Sequence, residues 1–132
     1  MSHSTNKTYS RPGSPPDFAV RYRFFTAEEG GRSDPPRQHI RWDFLYHGDD
    51  PRRHGIWIIW PEFLDAAGKP HPDGPVPYEG VAHMFILDPD MRDQVHRGRI
   101  ALGVRGYFVE GVKRVAECEV VELIGLAVQR SE

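Results

Sequence analysis

The stretch KRVAECEVVEL, Lys113–Leu123, carries the clearest fold signal in the chain. Its small and apolar residues Ala116, Cys118 and Val120 alternate with glutamates. Successive side chains of a β-strand point to opposite faces of a sheet. The alternation therefore predicts a strand with one buried face and one solvated face.

Five further runs, rich in apolar and aromatic residues, predict strands upstream of this one. They cover Phe18–Thr26, Ile40–Tyr46, Gly55–Trp60, Gly80–Leu87 and Arg99–Arg105. The chain holds 13 glycines and 12 prolines, most of which fall between these runs as turn signals. The pattern predicts an all-β fold, a six-stranded closed antiparallel barrel, because closure removes exposed strand edges.

A length of 132 residues indicates one domain. We expect the barrel to span residues 18–125, with a polar extended tail at 1–17 and a short C-terminal tail at 126–132. Five prolines lie in residues 61–78, which predicts a long irregular connection. Long connections within small domains are often functional.

The composition of the chain excludes several classes of function. The net charge of −2 excludes a strongly basic nucleic-acid module, although it allows a local basic patch. Because Cys118 is the single cysteine, an internal disulfide and a multi-cysteine zinc site are excluded. No apolar run is long enough for a membrane helix and no signal peptide is visible, so we expect a cytoplasmic protein without membrane contact.

Five segments in order along residues 18–124 resemble the third domain of elongation factor Tu. They are TAEEGGRSDP (Thr26–Pro35), IRWDFLY (Ile40–Tyr46), EGVAHMFILDPDMR (Glu79–Arg92), GRIALGVR (Gly98–Arg105) and RVAECEVVEL (Arg114–Leu123). The resemblance implies a barrel that, in that family, contacts a GTPase domain, the T-stem of aminoacyl-tRNA and an exchange factor. No P-loop pattern occurs in this chain, so the resemblance implies the barrel without a GTPase domain.

Three features predict a surface for a protein partner: the Gly–Gly–Arg turn, the outward side of the third strand and the proline-rich connection 61–78. Gly30, Gly31 and Arg32 match the family segment that lies against the GTPase domain, and arginine is favoured in binding hot spots. The alternative is that the glycines form a turn while Arg32 pairs with Glu28 or Glu29. The run GIWIIW, which includes Trp57 and Trp60, is apolar on both faces, so its outward face needs a cover.

A second hypothesis places RNA on the basic stretch 92–114, where six cations face two acids. Its candidate residues are Arg97, Arg99, Arg105 and Lys113, which would contact phosphates of tRNA or another RNA. Glutamates follow directly in the last strand, and cross-strand pairing with them would neutralise much of this stripe.

No motif favours catalysis, a cofactor or a metal centre. The seven histidines lack a zinc-signature spacing, and Cys118 is expected to be a small buried residue. We therefore predict a non-catalytic module that binds a protein connected with translation. The alternatives are an RNA-binding accessory protein and an immunity or decoy protein that imitates an elongation-factor surface. The sequence does not indicate the oligomeric state.

Overall fold

The computed structural model describes residues 15–127, which form a single six-stranded antiparallel sheet. The strands are β1 Phe18–Phe24, β2 Asp43–Tyr46, β3 Ile59–Leu64, β4 Glu79–Ile86, β5 Arg105–Glu110 and β6 Lys113–Leu123. Their order across the sheet is β2-β5-β6-β1-β4-β3. The predicted all-β class is confirmed, and β6 has the bounds that its alternation predicts.

The predicted closed barrel is wrong, because the sheet is a curled half-barrel. Its edge strands β2 and β3 form no ladder with each other and meet through one isolated bridge between Phe44 and Trp57. In that bridge, each backbone amide donates to the other residue's carbonyl at 2.9 Å. Trp57 lies before β3, so this bridge joins β2 to the chain just ahead of β3. We call this meeting of the two edges the seam.

Two strand positions also differ from the sequence prediction. The third strand was expected at Gly55–Trp60 and lies at Ile59–Leu64, because a short helix, α1 (Pro51–His54), and its Gly55 cap precede it. The fifth was expected at Arg99–Arg105, but that range holds the end of a helical segment and a turn.

The helical segment comprises α2 (Pro89–Met91), a π-helical turn over Arg92–His96, and α3 (Arg97–Arg99). Asp88 begins it as an N-cap whose side chain accepts hydrogen bonds from the amides of Asp90 and Met91. Pro89 follows at the first helical position, where its fixed φ suits a helix and its missing N–H removes no hydrogen bond.

The free edge of β3 is capped by a side chain. The Gln38 carboxamide accepts from the Phe63 amide at 2.8 Å and donates to the Phe63 carbonyl at 2.9 Å. It also donates to the carbonyl of His71, which fastens the connection after β3 to this edge. Pro61 has the same edge-facing parity as Phe63, so its missing N–H breaks no ladder bond.

The concave face of the sheet holds an aromatic core. Tyr22 and Phe24 from β1 pack against Phe63 and Phe108 from two other strands, with ring centroids 4.9–6.3 Å apart. Most of these pairs are tilted or edge-to-face, the arrangements that aromatic quadrupoles favour. The convex face therefore carries the residues that are available for binding.

Asp17, placed in the predicted N-terminal tail, is buried at the start of β1. Its carboxylate accepts from the Ile86 amide at 2.7 Å and from Arg92 Nε at 2.8 Å. The rest of that tail, residues 1–14, and residues 128–132 of the C-terminal tail lie outside the described residues. Within 15–127, no helix is long and apolar enough to cross a membrane.

Candidate functional site

The Gly30–Gly31 pair shapes the turn that follows β1. Gly30 has a φ of +95°, a conformation that L-residues with side chains rarely adopt. At Gly31, a Cβ atom would collide with the backbone carbonyl of Phe25. Both glycines are therefore accounted for by the local chain path.

Arg32 is bound within the chain rather than presented to solvent. Its Nε lies 2.6 Å from Glu110 Oε2, and its guanidinium lies over the Trp42 ring, 5.6 Å from the centroid. The same Glu110 oxygen accepts from Trp42 Nε1 at 2.8 Å. The acid that holds Arg32 is thus on the β5–β6 hairpin, while Glu29 pairs with Arg23.

The two candidate tryptophans lie on opposite faces. Trp57 packs against the core, with its ring edge-to-face on His96 at 4.8 Å between centroids. Its indole N–H is buried and has no acceptor among residues 15–127, so this donor is not accessible to a partner. Trp60 is on the convex face, where its Nε1 donates to Asp43 Oδ1 at 3.1 Å across the seam.

An apolar surface surrounds Trp60 on β3 and β4. Trp60 pairs with Phe85 in register, and one step outward Ile58 lies opposite Leu87, whose amide donates to the Ile58 carbonyl at 3.2 Å. Ile58 is 51% exposed and Leu87 is 39% exposed. We name Ile58, Trp60 and Leu87, together with Phe85, which is only 6% exposed, the outer apolar patch. Arg41 borders it, with its guanidinium 4.9 Å from the centroid of the Trp60 ring.

Under the seam, His96 forms a buried polar network. The ring is 1% exposed, and its Nδ1 lies 2.7 Å from the Tyr46 hydroxyl. Burial lowers the His96 pKa to about 4, and the neighbouring Arg99 charge adds to this effect. Burial also raises the pKa of Tyr46, so both groups are neutral at pH 7.

The four RNA candidates do not form one cationic stripe. Arg99 makes two hydrogen bonds to the Asp49 carboxylate, at 2.9 and 3.1 Å, and its guanidinium covers the Tyr46 ring. Arg97 pairs with Asp93 at 3.2 Å. Arg105 begins β5 and Lys113 pairs with the last residue of that strand, so they lie about 17 Å apart along it.

The convex face also has a charged groove of about 450 Å³. It crosses β4, β1, β6 and β5, and its charged lining residues are Arg21, Arg23, Arg105, Glu79, Glu117 and Glu119. Two cross-strand ion pairs occupy its centre: Arg23 with Glu117 at 3.0 Å and Arg21 with Glu119 at 3.6 Å. The sequence predicts that the β6 glutamates neutralise the 92–114 stretch, but at these two positions they pair with arginines of β1 instead.

His39 links β3 to the connection that follows it. Its Nδ1 lies 2.7 Å from Asp73 Oδ1 and its Nε2 lies 3.5 Å from Glu62 Oε2. Among residues 15–127, His39 is the one non-glycine residue with a positive φ, at 65°. No three His, Cys, Asp or Glu side chains in this part of the chain are arranged to hold a metal ion.

Cys118 lies in the floor of the charged groove with its side chain buried. Burial raises the pKa of its thiol, which therefore stays protonated and weakly nucleophilic at neutral pH. This environment suits a packed core residue.

Neither a protein-family model nor a curated protein matches this chain.

Sequence reasoning had identified the run that contains Ile58 and Trp60, but not which of its faces points outward. It missed Leu87, whose position opposite Ile58 depends on the β3–β4 register. It also missed that Glu79 lies opposite Arg23 in the β1–β4 register, where Arg23 forms its ion pairs with Glu29 and Glu117 instead. Local sequence patterns do not specify which residues face each other across two strands. The signal for this surface in the sequence was that the runs 55–60 and 80–87 are both apolar.

Proposed function

We propose that this protein is a non-catalytic binding module that engages a protein partner through the outer apolar patch. The observation that carries the proposal is the pair Ile58 and Leu87, which lie directly opposite each other and are both substantially exposed. Adjacent exposed aliphatic side chains beside a tryptophan and an arginine match the composition of interface centres.

The contacts of Trp60 with neighbouring side chains preorganise the outer apolar patch. The hydrogen bond from Trp60 to Asp43 and the contact with Arg41 hold the indole in one orientation before any partner arrives. Preorganised aromatic anchors lose little side-chain entropy on binding. We expect the partner to supply an aliphatic or aromatic side chain that packs between Ile58 and Leu87.

Addition of a partner strand to the sheet is less favoured than binding through the patch. The free edge of β3 is occupied by the Gln38 carboxamide and by the backbone of His71, whose amide donates to Phe63. The edge of β2 is bridged to Trp57 at Phe44. Side-chain packing on the convex face therefore suits the proposal better than β-augmentation.

We also propose a relationship to the third domain of elongation factor Tu, and with it a partner connected with translation. The support is the order of the resembling segments in the sequence. One of these segments, Gly98–Arg105, was expected as a strand but spans the end of the helical segment and a turn. An immunity or decoy role remains an alternative of the same kind, because it too would use a protein-binding surface.

RNA binding is the second alternative and has its own test. Arg97 and Arg99 are engaged by Asp93 and Asp49, which leaves Arg105 and Lys113 as the candidate phosphate contacts. If RNA is the partner, tRNA affinity will fall steeply with salt and will weaken in Arg105→Ala and Lys113→Ala variants. A gel shift at low salt measures this directly.

The patch is tested by affinity purification followed by reconstitution with the purified partner. We expect Ile58→Glu and Leu87→Glu each to weaken the measured affinity at least tenfold, because each places a charge in an apolar contact. Calorimetry with the purified partner gives the affinity.

Leu102→Glu is the matched control, because Leu102 is exposed in the turn before β5 and lies outside the patch. It should bind like the wild type. Undiminished binding by both patch variants, with folding confirmed by circular dichroism, would contradict the proposed surface.

A further inference from the structure

Among the described residues, the charged groove holds one unengaged charge of each sign. Within residues 15–127, the Arg105 side chain on β5 reaches no acid, although Glu119 lies opposite it in register. In the same range, the Glu79 side chain on β4 reaches no base, because its register partner Arg23 is taken by Glu29 and Glu117. The remaining charged side chains of the groove pair with one another.

These two residues lie at opposite corners of the groove. Going from β4 to β5 crosses β1 and β6, so three strand spacings separate them, about 14 Å. Along the strands they are offset by two residues, about 7 Å, because Glu79 is level with Arg23 and Arg105 is level with Arg21. The diagonal between the two backbone positions is therefore roughly 16 Å.

The surrounding charges reinforce this polarity. At the corner of Glu79, a single cation, Arg23, is surrounded by Glu29, Glu79 and Glu117. At the other corner, two arginines flank the single acid Glu119. The groove is thus negative at one corner and positive at the other, and its centre is close to neutral.

From this arrangement we propose that the charged groove binds an extended peptide segment of about five residues, basic at one end and acidic at the other. The first and last Cα atoms of five extended residues lie about 13 Å apart, and long terminal side chains span the remaining ~3 Å of the diagonal. The groove volume of about 450 Å³ is within the range of small-ligand sites. The basic end lies over Glu79 and the acidic end lies over Arg105. This site is separate from the outer apolar patch and does not depend on the function proposed for it.

The test uses three synthetic pentapeptides with blocked termini: Lys-Ala-Ser-Ala-Asp, Lys-Ala-Ser-Ala-Lys and Asp-Ala-Ser-Ala-Asp. Each is titrated into the full chain labelled with ¹⁵N, and the amide shifts of Glu79, Arg105 and Tyr107 report binding. We expect the mixed-charge peptide to bind most tightly and to weaken as salt rises, because exposed charges are screened.

Charge reversal at one corner should switch the preference. With Arg105→Glu, both corners are negative, so the doubly basic peptide becomes the preferred ligand. With Glu79→Lys, the corner at position 79 loses its negative charge and becomes neutral, while the other corner stays positive, so the doubly acidic peptide is preferred. Each single reversal should weaken binding of the mixed peptide roughly fivefold, the scale of an exposed ion pair. The double variant should recover part of this affinity, because the peptide then binds in the reversed direction.

Lys113→Glu and Glu28→Lys are the matched controls, since both residues are exposed and lie outside the groove. They should leave the order of the three peptides unchanged. Equal shifts with all three peptides, no shift with any of them, or an unchanged preference in both single variants would overturn the proposal. The amide spectrum itself reports whether each variant is folded.

Discussion

At the scale of single residues, the Gly30–Gly31–Arg32 run forms the turn after β1 and anchors it to the rest of the chain. Each of its three residues has a role inside the molecule. The glycines permit the turn, and Arg32 joins that turn to Glu110 at 2.6 Å. By contrast, the residues of the proposed binding surface, such as Ile58, are identified by their exposure in the folded structure.

The two turn glycines should differ in their tolerance of a side chain. Gly31→Ala forces a Cβ atom onto the Phe25 carbonyl, which cannot move without displacing the backbone. Gly30→Ala meets no neighbouring atom and carries only the strain of its positive φ, about 1 kcal/mol. Urea denaturation should therefore show a larger loss of stability for Gly31→Ala. Equal losses would mean that the turn can rearrange around the added methyl group.

At the scale of elements, the helical segment 89–99 is the principal departure from an all-strand pattern. The Asp88 cap and Pro89 begin it, and its π-helical turn places His96 under the seam. There the imidazole contacts Tyr46 and Trp57, one residue from each side of the seam. The segment therefore supports the open side of the sheet from inside.

The burial of His96 predicts an acid-sensitive stability. Its pKa is about 4 in the folded chain and near 6.5 when unfolded, so below pH 6.5 the unfolded chain binds a proton that the folded chain does not. The contribution is fully present above pH 6.5 and is lost as the pH falls through 4. At pH 5 the loss is about 2 kcal/mol relative to pH 7.

A His96→Gln variant is the comparison, because glutamine does not titrate in this range. Its free energy of unfolding should change less between pH 7 and 5 than that of the wild type, even if the variant is less stable throughout. Chemical denaturation at several pH values measures both slopes. Parallel slopes would show that His96 does not control the acid response.

At the scale of the whole molecule, the seam is the weakest boundary of the sheet. The strands β1, β4, β5 and β6 are each paired on two sides, whereas β2 and β3 meet through one bridge and the contacts of Trp60. Regions with few backbone hydrogen bonds open with lower free energy than the centre of a sheet. The seam lies beside the outer apolar patch, so its stability affects the proposed binding surface.

Hydrogen exchange should resolve this difference. We expect the amides of Phe44 and Trp57 at the seam to exchange faster than that of Tyr22 in β1, which has a neighbouring strand on each side. A Trp60→Leu variant, which loses the hydrogen bond to Asp43, should accelerate exchange at the seam and leave Tyr22 unchanged. Uniform protection across the three amides would contradict a separately opening seam.

Much of the fold could be predicted where local signals are strong. Clean alternation placed β6 with its observed bounds, and the number of strands was right. The expected strand at Arg99–Arg105 is wrong because Asp88 and Pro89 begin a helical segment that continues to Arg99. The expected closed barrel is wrong because strand count does not specify how two edge strands meet, and here they meet through one isolated bridge.

Local sequence patterns are enough to predict the all-β class, the buried faces of the most regular strands and the presence of an apolar run with two apolar faces. These properties follow from side-chain period and turn residues, which act over a few neighbours along the chain. The fold decides that Trp57 faces inward, that Ile58 meets Leu87, and that Arg105 and Glu79 have no ion-pair partner among residues 15–127. These features depend on the strand register and on the curvature of the sheet, which bring together residues tens of positions apart. No local sequence pattern specifies the register or the curvature.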